Sequence, residues 1–236
     1  MSRSLIAAVC FLLAITFGVS PFFSSDFGGF NAEQFPVPQN DPPVQPAGYA
    51  FSIWGPIYLW LIAGLGFGLW KRRDDVDWHA MRMPLVISLA VGTIWLQVAI
   101  ASPIWATVLI WVMLVTAVRA LFRAPAGDAW FAALPVGLYA GWLSAASCVS
   151  LGLLAAGYGW VNEEVAGLGA IFIALVLASA IQNQLGHSPS YGIAVIWALV
   201  AVVVQNLGGN VTVAAMAGGG AGAMLIPTWR AWRNGR

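Results

Sequence analysis

Charge is what this sequence has least of. Lys, Arg, Asp and Glu make up 8% of its 236 residues, against roughly 25% in soluble domains. With 60% of the residues hydrophobic and a strongly positive mean hydropathy, water is not the main solvent of this fold. The 10 basic residues nearly balance the 9 acidic ones, so no basic excess exists to track a phosphate backbone, which argues against nucleic acid as a partner. Cysteine is almost absent. Cys10 and Cys148 each lie in an apolar run without metal, redox or haem-attachment spacing, and they read as small buried hydrophobes. The two histidines, His79 and His187, are too isolated for a metal site and read as solvated.

Long apolar runs are what the sequence has instead. A hydrocarbon core about 30 Å thick takes about 20 apolar residues. Eight runs qualify, at approximately 4–23, 47–70, 83–101, 104–122, 129–155, 165–183, 190–206 and 211–229. Turns rich in Pro, Gly, Ser and Asn separate them. The expected fold is therefore all-α, a polytopic transmembrane bundle of about eight helices in a single domain. Span one is read as retained rather than cleaved, because its apolar run is long and no small-x-small cleavage site follows it. Span seven is short, and Gly208 and Gly209 would turn it tightly into span eight. Gly218, Gly219, Gly220 and Gly222 in span eight read as close helix packing.

Direction follows from the bases, which cytoplasmic loops retain. With eight spans and the N-terminus inside, Arg3, Lys71, Arg72, Arg73, Arg82, Arg119, Arg123, Arg230, Arg233 and Arg236 all fall on the inner side. The opposite loops carry Asp26, Glu33, Asp41, Glu163 and Glu164 and no base. The expectation is a multi-pass protein of the cell (inner) membrane with both termini cytoplasmic. No Asp, Glu, Lys or His falls at mid-depth in a span, which disfavours a carboxylate-driven pump. Nor is any nucleophile, acid–base pair or metal cluster evident, so the reading leans away from an enzyme.

Tryptophan is abundant, at 13 residues. Trp70, Trp78, Trp105, Trp130, Trp160, Trp229 and Trp232 fall near span ends, where interfacial aromatics anchor helices. Trp54, Trp95, Trp111, Trp142 and Trp197 lie within spans, where each indole N–H needs a partner. Phe51, Trp54 and Tyr58 form one helical stripe of span two; Pro135, Tyr139, Trp142 and Ala146 form another on span five, where Pro135 is expected to kink the helix. These stripes either line a flat apolar pocket or are ordinary packing. The outer segment 24–46, with Phe27, Phe30, Phe35 and five prolines, is either a semi-rigid lid or a solvated connector. Thr93 and Gln97 in span three, and Ser144, Ser147 and Ser150 in span five, read as interhelical hydrogen-bonding groups.

The run Pro-Ala-Gly-Tyr-Ala-Phe-Ser-Ile-Trp-Gly-Pro-Ile-Tyr from Pro46 to Tyr58 resembles the second-helix motif of the TspO/MBR family, the tryptophan-rich sensory or translocator proteins. Trp95 falls where that family's third helix has the first Trp of an Asn-Trp-x-Trp motif, and Leu134-Pro135 with Trp142, Leu143 and Ala146 is similar to its fifth helix. The sequence departs from the pattern at Ile94, Gln97 and Trp111, which stand in place of an Asn, a Trp and a common fourth-helix Asp. The resemblance covers about residues 1–152. It divides the chain into a TspO/MBR-like five-helix region at 1–155 and three additional spans at 156–236, packed in the same domain.

The resemblance implies a ligand-binding sensor or receptor that holds a flat apolar molecule, a tetrapyrrole such as haem or protoporphyrin or a sterol-like lipid, among the first five helices. It carries Pro46, Phe51, Trp54, Tyr58, Trp95, Gln97, Tyr139 and Trp142 as the candidate ligand-binding residues. No cofactor is required, although porphyrin or haem is expected as a bound ligand. The bilayer and that small molecule are the expected partners, with a homodimer left open. The alternative is a membrane transporter of a small apolar or amphipathic solute, suggested by the three additional spans and the Gly-rich eighth.

Overall fold

The structure is a computed structural model and describes residues 2–23 and 28–235. Its eight α-helices are α1 (Arg3–Val19), α2 (Trp54–Lys71), α3 (Val76–Ala101), α4 (Pro103–Leu121), α5 (Ala133–Gly157), α6 (Glu163–Leu185), α7 (Ser190–Gln205) and α8 (Val211–Asn234). Local chemistry places their ends. The side chains of Asp75, Ser102, Asn162 and Asn210 each accept a backbone N–H from the first turn of the helix that follows, satisfying donors that a helix start leaves open. Gly186 closes α6 at φ 63°, a left-handed cap without the Cβ penalty.

Seven helices are long and apolar enough to cross a membrane. The eighth, α7, has 16 residues, about 24 Å at ~1.5 Å per residue. Two expected boundaries move. Helix α3 begins at Val76 rather than 83, because the Asp75 cap starts it a full two turns earlier. Helix α5 begins at Ala133 rather than 129, so Pro135 lies in its first turn, where a missing N–H breaks no intrahelical bond. The expected kink at Pro135 therefore has no cause. The prolines inside helices are Pro84 and Pro227.

Helix α5 is the axis of the bundle. It packs against α2, α4, α6 and α7, and 19 of its 25 residues are buried. The others pack as neighbours around it, α2–α1–α3–α4 on one side and α6–α8–α7 on the other. Their outer faces are apolar: Ile104, Val108, Val112 and Val115 of α4 and Val165, Phe172 and Val176 of α6 are exposed. Water would not tolerate such stripes around the bundle, but hydrocarbon does.

Close packing comes from glycines other than the ones the sequence points to. A Cβ on Gly141 would collide with the Tyr191 carbonyl, and one on Gly137 with the hydroxyls of Ser188 and Ser190. The Gly-x-x-x-Gly pair of α5 thus lets α7 approach backbone to backbone. Of the four glycines in α8, Gly220 meets the Leu175 side chain, Gly218 makes ordinary contact, and Gly219 and Gly222 face open space. The packing reading of α8 therefore holds fully for Gly220 alone. The α7–α8 hairpin forms as expected, its turn carrying Gly208 at φ 96°.

The alternation of helix direction brings the nine described bases to one end of the bundle, while Glu33, Asp41, Glu163 and Glu164 lie at the other; Asp26 and Arg236 lie outside the described residues. Six of the seven tryptophans expected at interfaces are exposed, but Trp78 is fully buried. Its indole donates to Asp128 Oδ2 at 2.8 Å, and Arg72 Nε donates to the same oxygen at 2.8 Å. The earlier start of α3 explains the difference, since Trp78 now faces the bundle from within a helix. The same shift half-buries His79, whose Nδ1 has no partner, and His187 is half-buried between α6 and α7, with its pKa lowered by that burial. Neither histidine is freely solvated.

The Arg72 hydrogen bond holds the Asp128 carboxyl below its usual range. A carboxylate depressed in the folded state stabilises above its unfolded pKa, and that contribution is lost as pH falls through the folded value. Asp128→Asn is therefore expected to lower the thermal midpoint at neutral pH and to match the parent at acidic pH. A constant difference across pH would show that Asp128 acts through shape alone.

Candidate lidded cavity

The two aromatic stripes do face each other, and they interlock. Trp142 meets Phe51 edge to face with centroids 5.9 Å apart and Trp54 at 6.3 Å. Trp54 stacks on Tyr58 at 5.3 Å, and Phe17 of α1 contacts Trp54, Tyr58 and Tyr139. The Tyr139 hydroxyl is 2.9 Å from Ser88 Oγ, which donates to the Met113 carbonyl at 2.8 Å. With rings filling the space and the Tyr139 hydroxyl partnered, this part of the bundle is packed core.

The cavity begins one turn further along α5. Trp142, Ala145, Ala146, Val149 and Leu153 of α5 form its back wall. Trp95 of α3 and Ile110 of α4 stand on one side, and Ala170, Ile171 and Ala174 of α6 with Ala198, Leu199 and Val202 of α7 on the other. The space is not confined to the first five helices. It holds about 730 Å³ free of atoms with the open mouth included, but the space that admits the centre of a water-sized sphere is about 70 Å³, below the ~300–1,000 Å³ of ligand clefts. Little of it is wide enough for a water-sized sphere, so an entering molecule has to part the walls. Trp95 is pinned at the wall by its indole, which donates to the Ala106 carbonyl at 2.9 Å.

The outer segment closes the mouth as a lid. Gly29, Phe30, Val44, Gln45 and Pro46 line it from above, and the expected lid residue Phe27 lies outside the described residues. Phe35 and Val44 are buried against Leu153 and Ala170. Hydrogen bonds strap the segment to helix ends on three sides: Gln34 Nε2 to the Ala99 and Ile100 carbonyls at 2.9 Å each, Val37 N to Gly157 O at 2.8 Å, and Asn206 Nδ2 to Pro43 O at 2.8 Å. These bonds satisfy orphan carbonyls where α3 and α5 end, so the lid and helix ends complete one another.

Of the eight candidate residues, the cavity brings together Pro46, Phe51, Trp95 and Trp142. Trp54, Tyr58 and Tyr139 belong to the packed cluster beneath it, and Gln97 lies with Thr93, Ile94 and Trp105 on a shallow groove of the outer surface. Thr93 bonds its own helix at Leu89 O. Ser144 pairs with the Tyr191 hydroxyl at 2.8 Å, and Ser147 reaches Ile110 O at 3.5 Å, as interhelical groups should, but Ser150 lines the cavity instead. The walls on α6 and α7 were missed, since their small apolar residues look like any packed face. Gln45 was missed as well, although it stands next to Pro46, where the second-helix motif begins. Among the described residues no group of three or more His, Cys, Asp or Glu could hold a metal ion.

A helical bundle with apolar outer sides and a lidded apolar cavity at one end defines a polytopic membrane protein. The family model for TSPO-like protein matches residues 5–229, from α1 into α8. The chain belongs to the TSPO-like family. Comparison with curated proteins and with solved structures gives no significant match.

Proposed function

We propose that this protein is a membrane sensor or receptor whose lidded cavity binds a flat apolar molecule, a tetrapyrrole or a sterol-like lipid. The observation that carries the reading is the cavity itself, walled by the rings of Trp95, Trp142, Phe51 and Phe30 and by small aliphatic side chains. Aromatic faces stack on conjugated or fused rings, and an apolar cleft with few polar groups holds such ligands by shape and burial. The basic end faces the cytoplasm of the cell (inner) membrane, both termini with it, so that the lid opens outward. The transporter reading is second, because the interlocked rings of Phe17, Trp54, Tyr58 and Tyr139 fill the bundle beneath the cavity. That plug favours binding over passage.

Titration of the purified protein with protoporphyrin is expected to quench its tryptophan emission. Trp142→Ala removes a cavity wall worth about 1–2 kcal/mol of ring contact and is expected to weaken binding about tenfold. Trp105→Ala, an exposed residue, is expected to leave affinity unchanged. Equal affinity in the parent, Trp142→Ala and Phe51→Ala would remove the cavity as the site.

A further inference from the structure

Two glycines of α8 serve neither the packing of the bundle nor the cavity. A Cβ at Gly219 or Gly222 would meet open space, so the outward side of α8 carries a shallow trough at mid-span. Gly219, Gly222, Ile226, Trp229 and Arg233 follow one another at steps of three or four residues, which makes them one stripe of the helix. The stripe ends in a charged cluster. Pro227, Thr228 and Ala231 are buried, and Trp229, Arg230, Trp232 and Arg233 of the same turns are exposed. The Arg233 guanidinium lies over the Trp229 ring, 4.9 Å from its centroid, where cation–π attraction orients it. No carboxylate opposes these bases. The sequence holds no Asp or Glu after Glu164, and α8 packs on α6 and α7, whose acidic residues Glu163 and Glu164 sit at the far end of α6. Elsewhere at the basic end Arg72 pairs with Asp128 and Arg73 with Asp74; among the described residues Arg230 and Arg233 have no such partner.

We infer that this stripe binds an anionic phospholipid of the leaflet at the basic end, with its phosphate on Arg230 and Arg233 and an acyl chain in the trough of Gly219 and Gly222. The site is separate from the cavity and independent of what the cavity holds. Guanidinium forks bind phosphate oxygens in pairs, and a helix end of Trp and Arg lies at the depth of the headgroups. Gly222 precedes Arg230 by eight residues and Gly219 by eleven, about 12 and 17 Å at ~1.5 Å per residue. That matches the depth of one leaflet, half of the ~30 Å hydrocarbon core. A second copy of the chain is the other occupant that a glycine stripe suits. Charge opposes it, because a two-fold axis beside α8 would bring Arg230 and Arg233 of both copies together with no carboxylate on either α8 to offset them. An anionic lipid supplies the charge that a second copy lacks.

The probes are phosphatidylglycerol and phosphatidylcholine with identical oleoyl chains, added to the delipidated full-length protein in detergent and counted by native mass spectrometry. Phosphatidylcholine carries the same phosphate together with its own cation, so the pair isolates net charge. The parent is expected to hold a single phosphatidylglycerol about tenfold more tightly than phosphatidylcholine. Arg230→Gln with Arg233→Gln is expected to abolish that preference. Arg119→Gln with Arg123→Gln removes the same charge from the end of α4 and is expected to keep it. Equal loss in the two double variants overturns the site, because the attraction then belongs to the basic end at large, and so does a parent without the preference. Gly222→Leu fills the trough and is expected to weaken phosphatidylglycerol binding about threefold or more while the thermal midpoint of the lipid-free protein stays that of the parent. An unchanged affinity in that variant overturns the placement of the acyl chain. A parent dimer that Gly222→Leu converts to a monomer gives the face to a second copy and overturns the lipid.

Discussion

Gly141→Leu is expected to abolish the folded bundle. At this position on α5 a Cβ alone would collide with the Tyr191 carbonyl of α7 and stand 3.0 Å from the Ala194 Cβ. The obstacle is backbone, which has no rotamer to yield, so α7 must move away from the central helix. Moving it also parts the Ser144–Tyr191 hydroxyl pair at 2.8 Å and draws Ala198, Leu199 and Val202 from the cavity wall. Overpacking of a fitted core costs about 1–3 kcal/mol when side chains can adjust, and a backbone collision with a lost buried hydrogen bond adds to it, for a total of about 4 kcal/mol or more. Size-exclusion profile and thermal midpoint in detergent check this. Gly219→Leu is the control, since nothing lies within 4 Å of a Cβ there, and it is expected to behave as the parent. If Gly141→Leu purified with an unchanged midpoint, backbone contact between α5 and α7 would not be what joins the two halves.

Arg82→Leu is expected to have the second largest effect on stability. Arg82 is 1% exposed and lies inside α3, yet no carboxylate bonds to it. Its guanidinium donates instead to the carbonyls of Gly68 at 2.7 Å, Arg72 at 3.2 Å and Arg73 at 3.3 Å. These acceptors lie at and just past the end of α2, where the helix dipole is negative and a buried cation is favoured; the Gly68 and Arg72 carbonyls also accept the backbone N–H of Arg72 and Asp75. Leucine removes these charge-assisted donations, each worth about 1.5–3 kcal/mol. It also relieves the burial of a charge, so the net loss is about 2–4 kcal/mol. Lys is expected to rescue only in part, because a point charge cannot span three carbonyls as the planar fork does. Thermal midpoints of the three proteins check the order parent, Arg82→Lys, Arg82→Leu. A Leu variant as stable as the parent would mean that water already reaches these carbonyls.

The Trp142 and Asp128 predictions test other depths of the same molecule. Trp142 divides the packed rings from the cavity, so its removal is expected to act on binding first. Asp128 ties the α4–α5 connection to the ends of α2 and α3, far from the cavity, so its removal is expected to act on stability alone.

The sequence by itself determined that this is a membrane-spanning helical bundle with its bases at one end. Hydrocarbon length and the need to satisfy backbone groups inside lipid are one-dimensional constraints, written in eight apolar runs and in the loops that hold Arg and Lys. Aromatic stripes on α2 and α5 were equally legible, since helical spacing alone puts Phe51, Trp54 and Tyr58 on one face. Whether those stripes leave a gap was not. That depends on how nearly two helices approach, and Phe17, arriving from α1, fills the space that spacing alone would leave open. Only the tertiary structure decided that the cavity opens one turn higher, that α6 and α7 wall it with alanines, and that Gly137 and Gly141 bring α5 against α7 while most of the α8 glycines meet no close neighbour. Small residues carry no direction in a sequence. Whether an alanine or glycine permits a cavity, a helix contact or nothing is settled by the atoms opposite it.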